Sequence, residues 1–127
     1  MMCSNNQINR PKCGDIWMCN LPSHDGSIQN GYRPVFILSN NKNNRFSHTV
    51  NIIPLTTKMN KRKLPVHVEL WDYQRFGLKA PSTMLIEQIM TITLDNLDRY
   101  IGEVDDTEIL NAICSAIVVQ FPVMAAQ

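Results

Sequence analysis

One stretch of this chain, near its C-terminal end, has the period of a helix, and almost everything before it is written in short apolar runs broken by turn residues. That imbalance constrains the fold more than any other feature. Short strands bury their apolar faces only by folding into a bent sheet, with the helix as its cover. Residues 14–19 read as the first strand. Val35-Phe36-Ile37-Leu38 is a continuous apolar run consistent with a strand buried on both faces, and Pro34 is tolerated at its start. A third strand spans 49–55, and a fourth alternates over 66–70 with His67 and Glu69 on one face. Residues 84–92 form a further strand interrupted by Glu87-Gln88, and a short one lies around 100–104. Residues 20–32 are a long connection, 40–44 a turn, 58–64 a basic loop and 94–97 one helical turn. In the last element Asp105 is the expected cap, with Glu108 in capping-box spacing. Ile109, Ile113, Ala116 and Ile117 share one face, Leu110 and Ala112 widen it, and Phe121-Pro122 ends the helix. The expected fold is mainly β with a C-terminal α-helix: a strongly bent antiparallel sheet or small barrel carrying one packed helix.

A chain of 127 residues has room for one core. Residues 1–13 read as a flexible polar arm and 14–127 as a single domain. No run approaches the roughly 18 apolar residues of a membrane span, and the N-terminal segment lacks an apolar signal core. The expectation is a cytoplasmic protein that does not enter membranes. Cys3, Cys13, Cys19 and Cys114 form no CxxC pair and have no histidine at zinc spacing, so no metal and no cofactor are expected. Cys19 and Cys114 read as core thiols. The net charge of +1 hides a segregation. Residues 33–79 carry nine bases against two acids, and the remainder carries three bases against nine acids. A polyanion suits such a middle, although a solvated charge run would look the same.

Walker loops, nucleophile elbows and metal-ligand clusters are missing from the sequence. Two positions are informative. Arg33 begins a strand after a glycine-containing loop, where a guanidinium can hold a phosphate through parallel hydrogen bonds. Thr56 ends another strand beside the basic loop, with Thr57 pointing to the opposite face. Spacing alone favours a salt bridge for Arg33 and a turn cap for Thr56.

The pieces Gly14-Asp15-Ile16-Trp17, Gly31-Tyr32-Arg33-Pro34-Val35 with Leu38-Ser39-Asn40, Ile53-Pro54-Leu55-Thr56-Thr57, Pro65-Val66-His67-Val68-Glu69 and Ser82 to Thr91 follow one another in a specific order and spacing. In these the chain resembles the MazF/PemK family of toxin endoribonucleases from Gly14 onward. The resemblance implies a homodimer of SH3-like barrels with a C-terminal helix, and RNA lying in a groove across both subunits. It implies metal-independent cleavage of single-stranded RNA at specific sequences by the neighbouring 2′-hydroxyl. The ends would be a 2′,3′-cyclic phosphate (or 3′-phosphate) and a 5′-hydroxyl. Arg33 and Thr56 match the family's catalytic pair, and an arginine serves better as a charge stabiliser than as a proton carrier at pH 7. Lys58, Lys61, Arg62 and Lys63 would contact RNA phosphates. Gln29, Tyr32, Thr57, His67, Glu87 and Gln88 complete the expected RNA-binding set. The family's partner is an antitoxin with an acidic segment, which the basic middle would attract.

Two positions depart from the family pattern. Ile28 stands where an acid is common, and Met90 stands where Glu-Gln-Ile-Arg-Thr has its arginine. They keep open a homologue that binds RNA without cutting it; a separate alternative is a gyrase-inhibiting CcdB-type toxin on the same fold. The latter is disfavoured because the C-terminal end carries no tryptophan.

Overall fold

The computed structural model describes residues 10–22, 26, 28–59 and 63–125. The expected arm lies mostly outside them; of its described part, Arg10 donates to the carbonyls of Asn44 and Ser47 at 2.8 and 3.1 Å. The strands are β1 (Asp15–Leu21), β2 (Gly31–Ile37), β3 (Thr49–Thr56), β4 (His67–Leu70), β5 (Ser82–Leu85), β6 (Met90–Thr93) and β7 (Leu97–Glu103). They form one antiparallel sheet in the order β4-β5-β3-β2-β1-β7, with β6 also paired to β3. The expected bent sheet with a C-terminal helix is present, and the sheet is not closed into a barrel. The bend is made at β3, whose first half (Thr49–Ile52) pairs with β6 and whose last residues (Leu55, Thr56) pair with β5.

This division corrects the single strand expected over 84–92. Two halves of one strand cannot reach two different stretches of β3 without a corner, and the turn Ile86–Gln88 provides it. A second correction concerns residues 40–44, expected as a turn. They open helix α1 (Asn41–Phe46), capped by the Asn40 side chain, which accepts from Asn43 N at 2.8 Å. Asparagine is a weak helix former, and the helix is held by Asn44, which is buried and bonded to both the hydroxyl and the carbonyl of Ser39. Strand β2 starts at Gly31, so Pro34 lies inside it. Pairing to β3 begins only at Val35, and the missing N–H falls outside that ladder.

Helix α2 (Thr107–Gln120) is capped by Asp106, not Asp105. Asp106 Oδ1 accepts from Glu108 N at 2.8 Å and Ile109 N at 3.4 Å. Ile113 and Ala116 are buried, with Ile109, Leu110 and Ile117 packed beside them. Ala112 and Cys114 are exposed, against expectation, because they fall outside that stripe.

Period-two alternation sends side chains to two cores. Ile16, Phe36, Ile53, Leu55 and Met84 pack with α2 on one side. Trp17, Cys19, Val35, Ile37, Val50, Ile52 and Ile92 pack on the other. Each such aliphatic side chain contributes about 1.5–3 kcal/mol by leaving water. Between the turn Tyr73–Phe76 and β7 the two main chains touch. A Cβ on Gly77 would lie 1.9 Å from the Ile101 carbonyl oxygen, and one on Gly102 would lie 2.2 Å from that of Phe76.

Candidate functional site

Arg33 and Thr56 meet because of strand phase. Arg33 shares its side of β2 with Val35 and Ile37, and Thr56 shares its side of β3 with Ile52. The Arg33 Nε donates to the Asn30 carbonyl at 2.8 Å. Its Nη1 crosses to the carbonyl of Leu55 at 3.3 Å, the residue before Thr56. Gly31, at φ +81°, gives the turn that brings the Asn30 carbonyl back to the guanidinium. Thr56 is half-buried at the end of β3, opposite Thr83, and its hydroxyl accepts from Lys58 N at 3.2 Å. The fold thus sets a fixed cation and a hydroxyl side by side at the end of two neighbouring strands.

Other expected residues join this end in pairs. Gln29 N donates to Gln88 Oε1 at 2.8 Å, tying the loop before β2 to the corner between β5 and β6. His67 Nε2 and Glu87 Oε2 lie 2.9 Å apart, linking β4 to the same corner. Lys58 and Lys63 are exposed, and Lys61 and Arg62 lie outside the described residues. Tyr32 and Thr57 are not brought to the pair. They face the opposite side of the sheet, in a separate pocket of about 490 Å³ with Lys79, Arg99 and Tyr100. The Tyr32 hydroxyl donates to Asp98 Oδ2 at 2.5 Å, and that bond pushes the phenol pKa up.

The positions that depart from the family pattern have physical settings. Met90 packs against the second core and pairs with Ile52, an apolar site that suits a thioether. Ile28 is 47% exposed. Arg75, one of the nine bases of the middle segment, is tied to Asp105 and Asp106 at 3.3 Å each, so it belongs to the helix start. Burial pushes the Cys19 thiol up to about 12, leaving it an inert packing group beneath Arg33, its cross-strand neighbour. Among the described residues no group of three or more His, Cys, Asp or Glu side chains could hold a metal ion. No described helix is long and apolar enough to cross a membrane.

Sequence reasoning missed Asn30, whose carbonyl holds the Arg33 Nε, and Thr83 and Glu69, which continue the cross-strand row from Thr56. Strand phase offered a signal for Glu69, which continues the period of His67.

A family model described as PemK-like, MazF-like toxin of type II toxin–antitoxin systems matches residues 12–121. The chain is 41% identical over 95 residues to the endoribonuclease EndoA of Bacillus subtilis, across 75% of this chain and 81% of that protein. It is 36% identical over 103 residues to the endoribonuclease MazF of Staphylococcus saprophyticus, across 79% and 85%. A solved mycobacterial endoribonuclease in complex with its cognate antitoxin superposes with a TM-score of 0.67 at 26% identity, covering 89% of this chain and 96% of that one.

Proposed function

Since this chain belongs to the PemK-like, MazF-like toxins of type II toxin–antitoxin systems, and is an endoribonuclease, we propose that it cuts single-stranded RNA at specific sequences with Arg33 and Thr56 and without a metal. The 2′-oxygen attacks the adjacent phosphorus and gives up its proton to solvent. The bond from phosphorus to the 5′-oxygen breaks, and that oxygen takes a proton. The products are a 2′,3′-cyclic phosphate and a 5′-hydroxyl. Negative charge grows on the phosphate oxygens in the transition state. A guanidinium already held in place stabilises it without reorganising, and the Thr56 hydroxyl donates to the same phosphate.

The observation that carries this reading is the grip on Arg33. Two main-chain carbonyls, of Asn30 and Leu55, aim the guanidinium at the end of β3 where Thr56 sits. Its remaining N–H groups can then meet a phosphate. Lys58, Lys61, Arg62 and Lys63 would hold the strand through its phosphates, with Gln29, His67, Glu87 and Gln88 nearer its bases. Neutralisation follows the solved relative, which is in complex with its cognate antitoxin. An acidic segment of such a partner suits the basic loop, and a homodimer would extend the groove.

The test is cleavage of a long single-stranded RNA in excess EDTA, with fragment ends mapped. Discrete cuts with 5′-hydroxyl ends are expected, slowed by about 10²–10³-fold in Arg33→Ala and in Thr56→Ala. Cutting that requires added metal, or that survives both substitutions, would refute the assignment.

A further inference from the structure

Beside the catalytic pair runs a groove that the cleavage chemistry leaves unused. The sheet register carries one cross-strand row away from Thr56: it faces Thr83 of β5, which in turn faces Glu69 of β4. With strands about 4.8 Å apart, Glu69 lies roughly 10 Å from Thr56. Period two along β4 puts His67 and Glu69 on one side, and Trp71, just past the strand, bonds back to Glu69. With Val68 they line a groove of about 640 Å³ that runs round the β4 edge of the sheet, where Glu108, Ile109 and Ala112 of α2 complete the lining. Thr83, the cross-strand partner of Thr56, also lines it, which joins the groove to the Arg33–Thr56 end of the sheet.

Trp71 is 62% exposed, unlike Trp17, which is buried. Its indole N–H donates to Glu69 Oε1 at 3.3 Å, which orients the ring. The second oxygen of Glu69 takes no hydrogen bond from the described residues. The geometry points to a nucleobase subsite: a base flanking the cut enters the groove, stacks on Trp71 and donates an exocyclic amino hydrogen to Glu69. This rests on the endoribonuclease reading of Arg33 and Thr56 and makes Trp71 and Glu69 specificity-determining residues for it.

Charge selects which part of the nucleotide enters. The carboxylates of Glu69 and Glu108 repel a phosphate and accept from a base, while Lys63 at the groove and Lys58 beyond it attract the backbone outside. Adenine, cytosine and guanine carry an amino group that a carboxylate can take, and uracil does not. Stacking on an aromatic ring is available to any base, so Trp71 supplies affinity and Glu69 supplies choice.

The experiment uses the full chain and an oligoribonucleotide carrying its mapped cleavage sequence, with a 2′-deoxy ribose at the cut so that it binds without reacting. Titration should quench the exposed tryptophan in the wild type and leave Trp71→Phe emission, which then reports only Trp17, unchanged. On the cleavable oligonucleotide, kcat/KM should fall on the order of ten- to hundredfold in Trp71→Ala and remain largely intact in Trp71→Phe. Glu69→Gln should flatten the preference among bases at one position beside the cut. Tight binding without quenching, with kcat/KM unchanged in Trp71→Ala, would overturn the subsite while leaving the Arg33–Thr56 reading intact. A wild-type chain that cuts no RNA would overturn both.

Discussion

At Arg33 the charge and its geometry can be separated. The Arg33→Lys variant keeps a cation on β2 but replaces a planar fork by a single ammonium. It cannot reach the carbonyls of Asn30 and Leu55 and still present donors to a phosphate. Cleavage should fall about 10²-fold, close to the alanine variant, while affinity for uncleavable RNA changes little; single-turnover rates beside equilibrium titration would check this. An arginine that worked by charge alone would keep most of its rate. The two side chains stood out at strand ends beside turn residues, and the family resemblance rather than spacing singled them out as a pair. Their anchors were not. Main-chain carbonyls belong to every residue, and nothing about Asn30 or Leu55 as amino acids announces which oxygen will face a guanidinium. Tyr32 and Thr57 show the converse: adjacency in sequence to a site residue puts a strand residue on the other face.

Helix α2 depends on which of two neighbouring aspartates caps it. Asp106 holds the first free N–H groups, and Asp105 only meets the exposed Arg75 guanidinium. Asp106→Ala should cost about 1 kcal/mol, and Asp105→Ala no more than a few tenths. Urea denaturation at constant m-value resolves the two. Capping-box spacing pointed to Asp105 because sequence spacing carries no backbone dihedrals, and the dihedrals choose the cap. The same limit explains the corner at Ile86–Gln88. Apolar residues on either side looked like one strand, yet they serve different lengths of β3. Helix α1 was illegible for another reason. Its stability comes from a buried contact of Asn44 with Ser39, which no local propensity encodes. By contrast the stripe Ile109, Ile113, Ala116 and Ile117 was readable, since the hydrophobic period of a surface helix is its packing instruction.

Across the whole molecule, the uneven charge should show in salt dependence. For a single strand, log affinity falls with log salt by roughly 0.7 per phosphate neutralised. Contacts from Lys58, Lys61, Arg62 and Lys63 imply a slope near −3 (approximate), and Lys58→Ala with Lys63→Ala should make it shallower by about 1.4. An oligoribonucleotide with a 2′-deoxy ribose at the cut allows the measurement without cutting. Fold class was readable at this scale because several short strands and one amphipathic helix leave few ways to bury their apolar faces. The openness of the sheet was not, since closure depends on register between strands far apart in sequence. The grip of two main-chain oxygens on Arg33 has a last consequence, for descent. A blade clamped by the peptide backbone stays aligned whatever side chains the clamp carries. The surrounding loops are then free to change from lineage to lineage, and a new target sequence can be acquired without re-inventing the cut.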